Sequence, residues 1–137
     1  MTRSGEVKLT DFGIAAISNA TRITVDGWGP MTTAYTAPER IRGETGTAAS
    51  DIFSLGVTLY EAVEGISPFQ REETLATMYA VLDEQPPRPQ HAPPLLAETL
   101  RLMLRKDPAT RAPARQVRAG LAEICCTAHQ RGDTTER

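Results

Sequence analysis

The chain has 137 residues, of which 40% are hydrophobic, and a formal net charge of -2. This length suits one domain with a modest core, and the small charge gives no electrostatic reason to expect binding to nucleic acid or to an anionic membrane. Basic residues do gather between positions 101 and 118. No aromatic platform accompanies them, so the pattern indicates a solvated helix face rather than a nucleic-acid surface.

The cysteines and the apolar runs indicate the cellular location of the protein. Cys125 and Cys126 are adjacent, and neighbouring residues are poorly placed for an unstrained disulfide. No apolar run approaches the ~20 residues that a membrane-spanning helix needs. Residues 1–5 also lack the apolar region of a signal peptide. These features predict a cytoplasmic location and no membrane segment in this chain.

The first third of the chain predicts a strand followed by a long loop. Residues 7–10 alternate apolar and polar side chains, which predicts a short half-buried strand that ends at Asp11. Residues 13–36 are rich in glycine and threonine and have no sustained period, which is typical of a loop. Loops of this length inside compact domains are usually functional or mobile.

A helix that is hydrophobic around most of its circumference is predicted from residue 50 to residue 64. Such a helix belongs in the middle of a core. Ser50 can cap its start, and Gly65 followed by Pro68 provides the stop signals. We expect the other helices to pack around this segment.

Residues 72–84 predict an amphipathic surface helix. The apolar residues at helical spacing in this segment are Leu75, Met78, Tyr79 and Leu82. The proline-rich run from residue 86 to residue 94 then predicts an extended connector.

Two further helices are predicted over residues 95–104 and 114–127. The expected organisation is one partial domain over residues 1–127 and a disordered tail over residues 128–137. The predicted fold class is mainly α, with a short β remnant, a long loop and four to five helices.

Four short motifs occur in order along the chain. They are Asp11-Phe12-Gly13, Ala37-Pro38-Glu39, the run from Ser50 to Gly56 and the run from Lys106 to Arg111. Each tripeptide alone is weak evidence, but four motifs in this order and at these separations argue against coincidence. The chain resembles the C-terminal lobe of a bacterial-type serine/threonine protein kinase. The resemblance extends from the strand before Asp11 to about Ile124.

The resemblance implies a nucleotide site at the first motif. Asp11 would hold Mg²⁺ between the β- and γ-phosphates of ATP, since this hard cation prefers carboxylate oxygens. Phe12 would pack on the core and set the direction of Asp11, and Gly13 would give the backbone freedom to turn. ATP and Mg²⁺ are therefore the implied cofactors of the complete domain. An isolated motif of this kind could instead be an acid that caps a turn.

Three threonines of the loop have implied roles. Thr21 and Thr24 lie where this family is commonly phosphorylated, and a phosphate there can order the loop against arginines. A loop that is merely rich in threonine is an equally open interpretation. Thr32 matches the threonine that contacts the catalytic aspartate near the substrate hydroxyl. Its presence favours serine or threonine as the acceptor in a protein substrate.

Three charged residues have implied structural roles. Glu39 and Arg111 match a buried salt bridge that ties the end of the activation segment to the late helices; two surface charges are the alternative. Asp51 lies near the start of an otherwise apolar helix, where an unpaired buried charge is costly. In relatives, this aspartate accepts hydrogen bonds from the backbone of the catalytic loop.

Several groups that phosphoryl transfer needs are absent from the sequence. A glycine-rich loop, a strand lysine in its usual context and an H-R-D loop do not occur, and the resemblance places the catalytic base upstream of Met1. We therefore expect a fragment, a split half or the product of a misplaced start. Its expected partner is a missing N-terminal lobe segment, and it should be inactive alone.

The alternative is a protein without catalysis. In this hypothesis the chain is a kinase-derived interaction module, or the relic of a truncated gene. The helices from Glu72 onward would dock partners while no nucleotide binds.

Overall fold

The computed structural model describes the backbone of residues 30–132 and the side chains of residues 32–127. All its regular elements in that range are helices. They are α1 (Pro30–Thr33), α2 (Pro38–Ile41), α3 (Ala48–Glu64), α4 (Thr74–Asp83), α5 (Pro94–Met103) and α6 (Ala114–Gly132). The prediction of a mainly helical fold is confirmed. The predicted strand at residues 7–10 lies outside the described residues.

Helix α3 begins earlier than its apolar pattern indicates. The N-cap is Thr47, and the Ser50 hydroxyl accepts a hydrogen bond from the Thr47 N–H at 3.1 Å. The prediction that Ser50 caps the helix was therefore wrong, because Ser50 lies inside the first turn and bonds back to the cap residue. The predicted stop is correct: Gly65 has φ of 77°, a left-handed conformation that glycine adopts without steric cost.

The core lies along one face of α3. Phe53, Val57 and Tyr60 are buried there, and the Phe53 ring stacks on Phe69 with 5.7 Å between centroids. Helix α5 crosses at Gly56, where an added Cβ would lie 3.0 Å from side-chain atoms of α5 and of the residue after it. This close approach requires a small residue at position 56.

The opposite face of α3 is exposed, which differs from the central helix that the sequence predicts. Asp51 and Thr58 are exposed, and Leu55 keeps 41% of its surface accessible. One face of α3 is therefore buried and the other is exposed, although apolar residues occur around most of the helix circumference.

Helix α4 lies at the surface, and the apolar stripe predicted for it is only partly buried. Leu75 and Tyr79 are 75% and 62% exposed, while the buried residues are Thr77, Ala80 and Val81. The Thr77 hydroxyl helps to explain why these residues are buried, because it accepts a hydrogen bond from the Arg71 N–H at 3.0 Å. Smaller side chains on this face also let α4 approach the core closely. Hydrophobicity alone does not identify the most buried positions of this helix.

The end of α4 is fastened to the turn before α6. The Lys106 ammonium donates to the carbonyls of Ala80 and Val81 at 3.1 and 2.5 Å, and lies 3.9 Å from the centroid of the Phe69 ring. Burial lowers the pKa of Lys106 to about 8. A lysine in the loop thus stabilises the α4 C-terminus.

Helices α5 and α6 pack against each other and against α3. Met103 and Val117 lie in the core between them, and Cys125 and Cys126 are exposed free thiols. No helix in residues 30–132 is long and apolar enough to span a membrane.

Candidate functional site

The structure describes four of the nine predicted site residues. Asp11, Phe12, Gly13, Thr21 and Thr24 lie outside the described residues. Their roles therefore stay predictions. The remaining predicted residues are Thr32, Glu39, Asp51 and Arg111.

Glu39 and Arg111 form a buried ion pair. Arg111 Nη1 lies 2.8 Å from Glu39 Oε1, and Nη2 lies 3.0 Å from Oε2. Only 2% of Glu39 and 5% of Arg111 remain exposed. The pairing is bidentate, which is the strongest geometry for guanidinium and carboxylate. It joins α2 to the turn before α6, two segments that are 72 residues apart in sequence.

Every remaining N–H group of the Arg111 guanidinium also finds an acceptor. The groups donate to the carbonyls of Ala49, Arg105 and Lys106 at 2.6, 2.9 and 3.1 Å. All five donors of the guanidinium are therefore used. The Arg111 side chain fixes the start of α3, the loop after α5 and the first turn of α2 at once.

The Glu39 carboxylate is held by more than the arginine. The Ser50 hydroxyl donates to Glu39 Oε1 at 2.7 Å. Burial by itself would raise the pKa of Glu39, but the hydrogen bonds from Arg111, the backbone and Ser50, with the arginine charge, outweigh it and hold this pKa at about 2. The carboxylate is thus ionised throughout the neutral range.

This pKa predicts how stability depends on acid. A carboxyl with a lowered folded pKa stabilises the fold above its unfolded pKa, here 4.5, and this stabilisation is lost as the pH falls toward 2. Between pH 5 and pH 3 we expect the full chain to lose about 2 kcal/mol of unfolding free energy from this group. Urea unfolding followed by far-UV circular dichroism measures the loss. The Glu39→Gln variant should lack this component, and an unchanged pH slope in that variant would contradict the assignment.

A second contact anchors the segment between α1 and α2. The Tyr35 hydroxyl donates to Glu61 Oε2, and the Ser54 hydroxyl donates to the Tyr35 carbonyl at 2.7 Å. The hydrogen bond to Glu61, together with burial, raises the pKa of Tyr35. This pair was not predicted from the sequence. The one available signal was Glu61, an acid in an otherwise apolar stretch of α3.

Tyr35→Phe should cost about 1–2 kcal/mol of unfolding free energy. It leaves the partly buried Glu61 carboxylate without its hydroxyl donor. Urea unfolding of the full chain measures the change. Tyr79→Phe is the matched control, since this ring is 62% exposed and its change should be within about 0.5 kcal/mol of zero. Equal effects of the two variants would show that the Tyr35 hydroxyl contributes nothing specific.

Thr32 and Asp51 both lie at the surface. Thr32, in α1, is exposed, and its carbonyl accepts hydrogen bonds from the Tyr35 N–H at 3.3 Å and the Thr36 hydroxyl at 3.2 Å. Asp51 is exposed in the first turn of α3. The backbone of the catalytic loop, its implied partner, is not among the described residues, so the role of Asp51 stays a prediction.

The described residues alone offer no metal site. Among them, no group of three or more histidine, cysteine, aspartate or glutamate side chains could hold a metal ion. Asp11, the implied Mg²⁺ ligand, precedes the described range. The part of the chain that the structure describes is therefore a helical frame with a buried ion pair, not a complete catalytic centre.

A comparison of the sequence with protein families identifies the family of this chain. The model of the protein kinase domain matches residues 1–120. This range is most of the chain, so the chain belongs to the protein kinase family.

Several bacterial kinases are similar to the chain. The serine/threonine-protein kinase PknA of Mycobacterium tuberculosis is 41% identical over 112 residues, which are 81% of this chain and 26% of that protein. The tyrosine-protein kinase MasK of Myxococcus xanthus is 36% identical over 136 residues, which are 96% of this chain and 21% of that protein. The serine/threonine-protein kinase PkaA of Streptomyces coelicolor is 36% identical over 116 residues, covering 85% and 21%. The chain thus spans between about a fifth and a quarter of the length of these relatives.

Proposed function

We propose that the chain is the large-lobe segment of a serine/threonine protein kinase. In the complete domain this segment would take part in transfer of the γ-phosphate of ATP to a serine or threonine of a protein substrate. The chain alone would not catalyse this transfer. The observation that carries the proposal is the Glu39–Arg111 pair, which fastens the A-P-E motif to the helices behind it.

The described contacts suit a platform that holds a substrate loop. Arg111 and Ser50 hold α2 through Glu39, and Glu61 and Ser54 hold the preceding segment through Tyr35. These two anchors fix the chain on both sides of residues 36–38. Thr32 lies just before them, exposed, where it can face an incoming hydroxyl group. Positioning of this kind accounts for much of the catalysis of phosphoryl transfer.

Nucleotide binding in the complete domain would involve Asp11. Mg²⁺ bound with ATP would neutralise charge on the phosphates during transfer. Asp11 would contribute one carboxylate oxygen to that ion, and Phe12 and Gly13 would set its orientation. Phosphates on Thr21 or Thr24 would regulate the loop through arginine contacts. The catalytic base would come from a segment preceding this one in a complete kinase domain.

The acceptor class rests on Thr32 and on the names of the relatives. Two of the relatives described above carry serine/threonine in their names, and MasK is named a tyrosine kinase. Thr32 favours the first class, and the higher identity to PknA agrees with it.

A second function is favoured by the surface of α4. Leu75 and Tyr79 are largely exposed one turn apart on α4, and Ile66 in the preceding loop is 70% exposed. Exposed apolar groups of this kind suit an interaction module that docks a protein partner without catalysis. In that case, completing the domain would not produce transfer.

Labelled phosphate transfer separates the two functions. The isolated chain, incubated with γ-labelled ATP, Mg²⁺ and a protein acceptor, should transfer no measurable phosphate. A fusion that supplies the upstream kinase segment of M. tuberculosis PknA, joined before residue 7, should transfer phosphate to serine or threonine. Transfer by the isolated chain would refute the proposed incompetence. A fusion that folds, by circular dichroism, and yet stays inactive would favour the interaction module.

A further inference from the structure

The C-terminus of α4 is held by a distant side chain. Its last turn carries no basic residue, and the C-cap is Glu84, with extended backbone at ψ of 138°, rather than a glycine. The last carbonyls of a helix have no partner inside it and are satisfied by donors from elsewhere. Here the donor is the Lys106 ammonium, which reaches the carbonyls of Val81 and Ala80 at 2.5 and 3.1 Å across 25 and 26 residues of sequence.

The turn that contains Lys106 also holds the A-P-E segment. Arg111, at the end of this turn, pairs with Glu39 of α2 and donates to the Lys106 carbonyl at 3.1 Å. The Lys106 ammonium lies 3.9 Å from the centroid of the Phe69 ring. The Arg111 guanidinium carbon lies 5.1 Å from the centroid of Phe53, on which Phe69 stacks. This one turn therefore fixes the positions of α4 and α2 relative to each other.

Helix α4 in turn packs against α1, the segment that carries Thr32. Thr33 and Ala34, the two residues that follow Thr32, are at most 1% exposed. Close-packed interiors transmit displacements, so a shift of α4 would move this buried segment. Thr32 is exposed next to it, and its position therefore depends on where α4 lies.

We propose that Lys106 is a positioning residue for the protein acceptor, because by holding the end of α4 it keeps α1 and Thr32 where the acceptor hydroxyl binds. This inference rests on the proposed kinase function of the complete domain. Lys106 would contact neither acceptor nor nucleotide, since its ammonium is engaged by the α4 carbonyls and the Phe69 ring. Its loss should therefore weaken the use of the acceptor and spare the use of ATP.

Kinetics of Lys106→Met in the fusion that completes the kinase domain test this role. Methionine keeps the apolar stem and removes the donors. With dephosphorylated casein as the acceptor, we expect the KM for casein to rise by about 5- to 20-fold while the KM for ATP stays within about 2-fold. Val117→Ala is the matched control, because it opens a space in the core between α5 and α6, away from α4. Both of its KM values should stay within about 2-fold of the unmodified fusion.

Hydrogen exchange of the full chain, followed by NMR of its backbone amides, provides a second measurement that does not depend on activity. In Lys106→Met, the Glu84 amide at the end of α4 and the Tyr35 and Thr36 amides, which close the turn after Thr32, should exchange at least about 5-fold faster. The Ala97 amide, which donates to the Pro93 carbonyl at 2.9 Å in α5, is the internal reference and should not change.

These two measurements separate the role of Lys106 from the proposed function. An unmodified fusion that folds and transfers no phosphate would count against the proposed function, and the exchange rates would then decide whether Lys106 controls the segment after Thr32. Equal increases in the two KM values, an unchanged KM for casein, or unchanged exchange at Tyr35 and Thr36 would each overturn the role of Lys106.

Discussion

Replacing Arg111 with methionine should lower the unfolding free energy of the chain by about 3–5 kcal/mol. Methionine keeps much of the apolar volume but removes all five donors. It leaves the Glu39 carboxylate buried with only the Ser50 hydroxyl and a backbone hydrogen bond, and it leaves the carbonyls of Ala49, Arg105 and Lys106 without this donor. Urea unfolding of the full chain, followed by far-UV circular dichroism, measures the effect.

Arg101→Met is the control for a generic loss of arginine. Arg101 also forms a bidentate pair, with Glu98, but both side chains are more than half exposed. Exposed pairs contribute at most about 1 kcal/mol, so this variant should stay close to the unmodified chain. If the two variants lose the same unfolding free energy, the buried pair stabilises the fold no more than an exposed pair does.

Among the substitutions considered, Asp11→Asn should have the largest effect on the rate of phosphate transfer. In the fusion that completes the kinase domain, we expect the rate of phosphate transfer to fall by about 1,000-fold, since the Mg²⁺ contact proposed for Asp11 would stabilise the transition state by several kcal/mol. The assay is transfer of labelled γ-phosphate to a protein acceptor at saturating ATP and Mg²⁺.

Asp83→Asn is the charge-matched control, because Asp83 is exposed at the last position of α4. Its activity should stay within about 2-fold of the unmodified fusion. Circular dichroism of both variants separates loss of chemistry from loss of fold. A folded Asp11→Asn fusion that keeps more than a tenth of the activity would exclude Asp11 as a metal ligand.

Helix positions could be predicted closely from local patterns. The segment expected at residues 72–84 is a helix over Thr74–Asp83, and the one expected at residues 95–104 is Pro94–Met103. Proline occupies the first position of α5 and lies two residues after the C-cap of α4, and its effect on the backbone is local. The start of α3 was not predicted, because it depends on a capping box that precedes the apolar run. In this box the Thr47 N–H donates a hydrogen bond to the Ser50 hydroxyl.

Contacts between distant segments were harder to predict. The packed face of α4 depends on a hydrogen bond between Thr77 and Arg71. The pairing of Tyr35 with Glu61 spans 26 residues, and no local pattern encodes such a partner. The expectation that Glu39 meets Arg111 came from the family resemblance. Composition and periodicity alone left both residues as ordinary surface charges.

A double-mutant cycle on the full chain tests the central claim most directly, namely that the Glu39–Arg111 contact fastens the end of the A-P-E motif to the helical frame. Unfolding free energies are measured for the unmodified chain, Glu39→Gln, Arg111→Met and the double variant. We predict a coupling free energy of about 2–3 kcal/mol between the two positions. A coupling below about 0.5 kcal/mol would mean that the two effects simply add, and the contact could not be the tether described here.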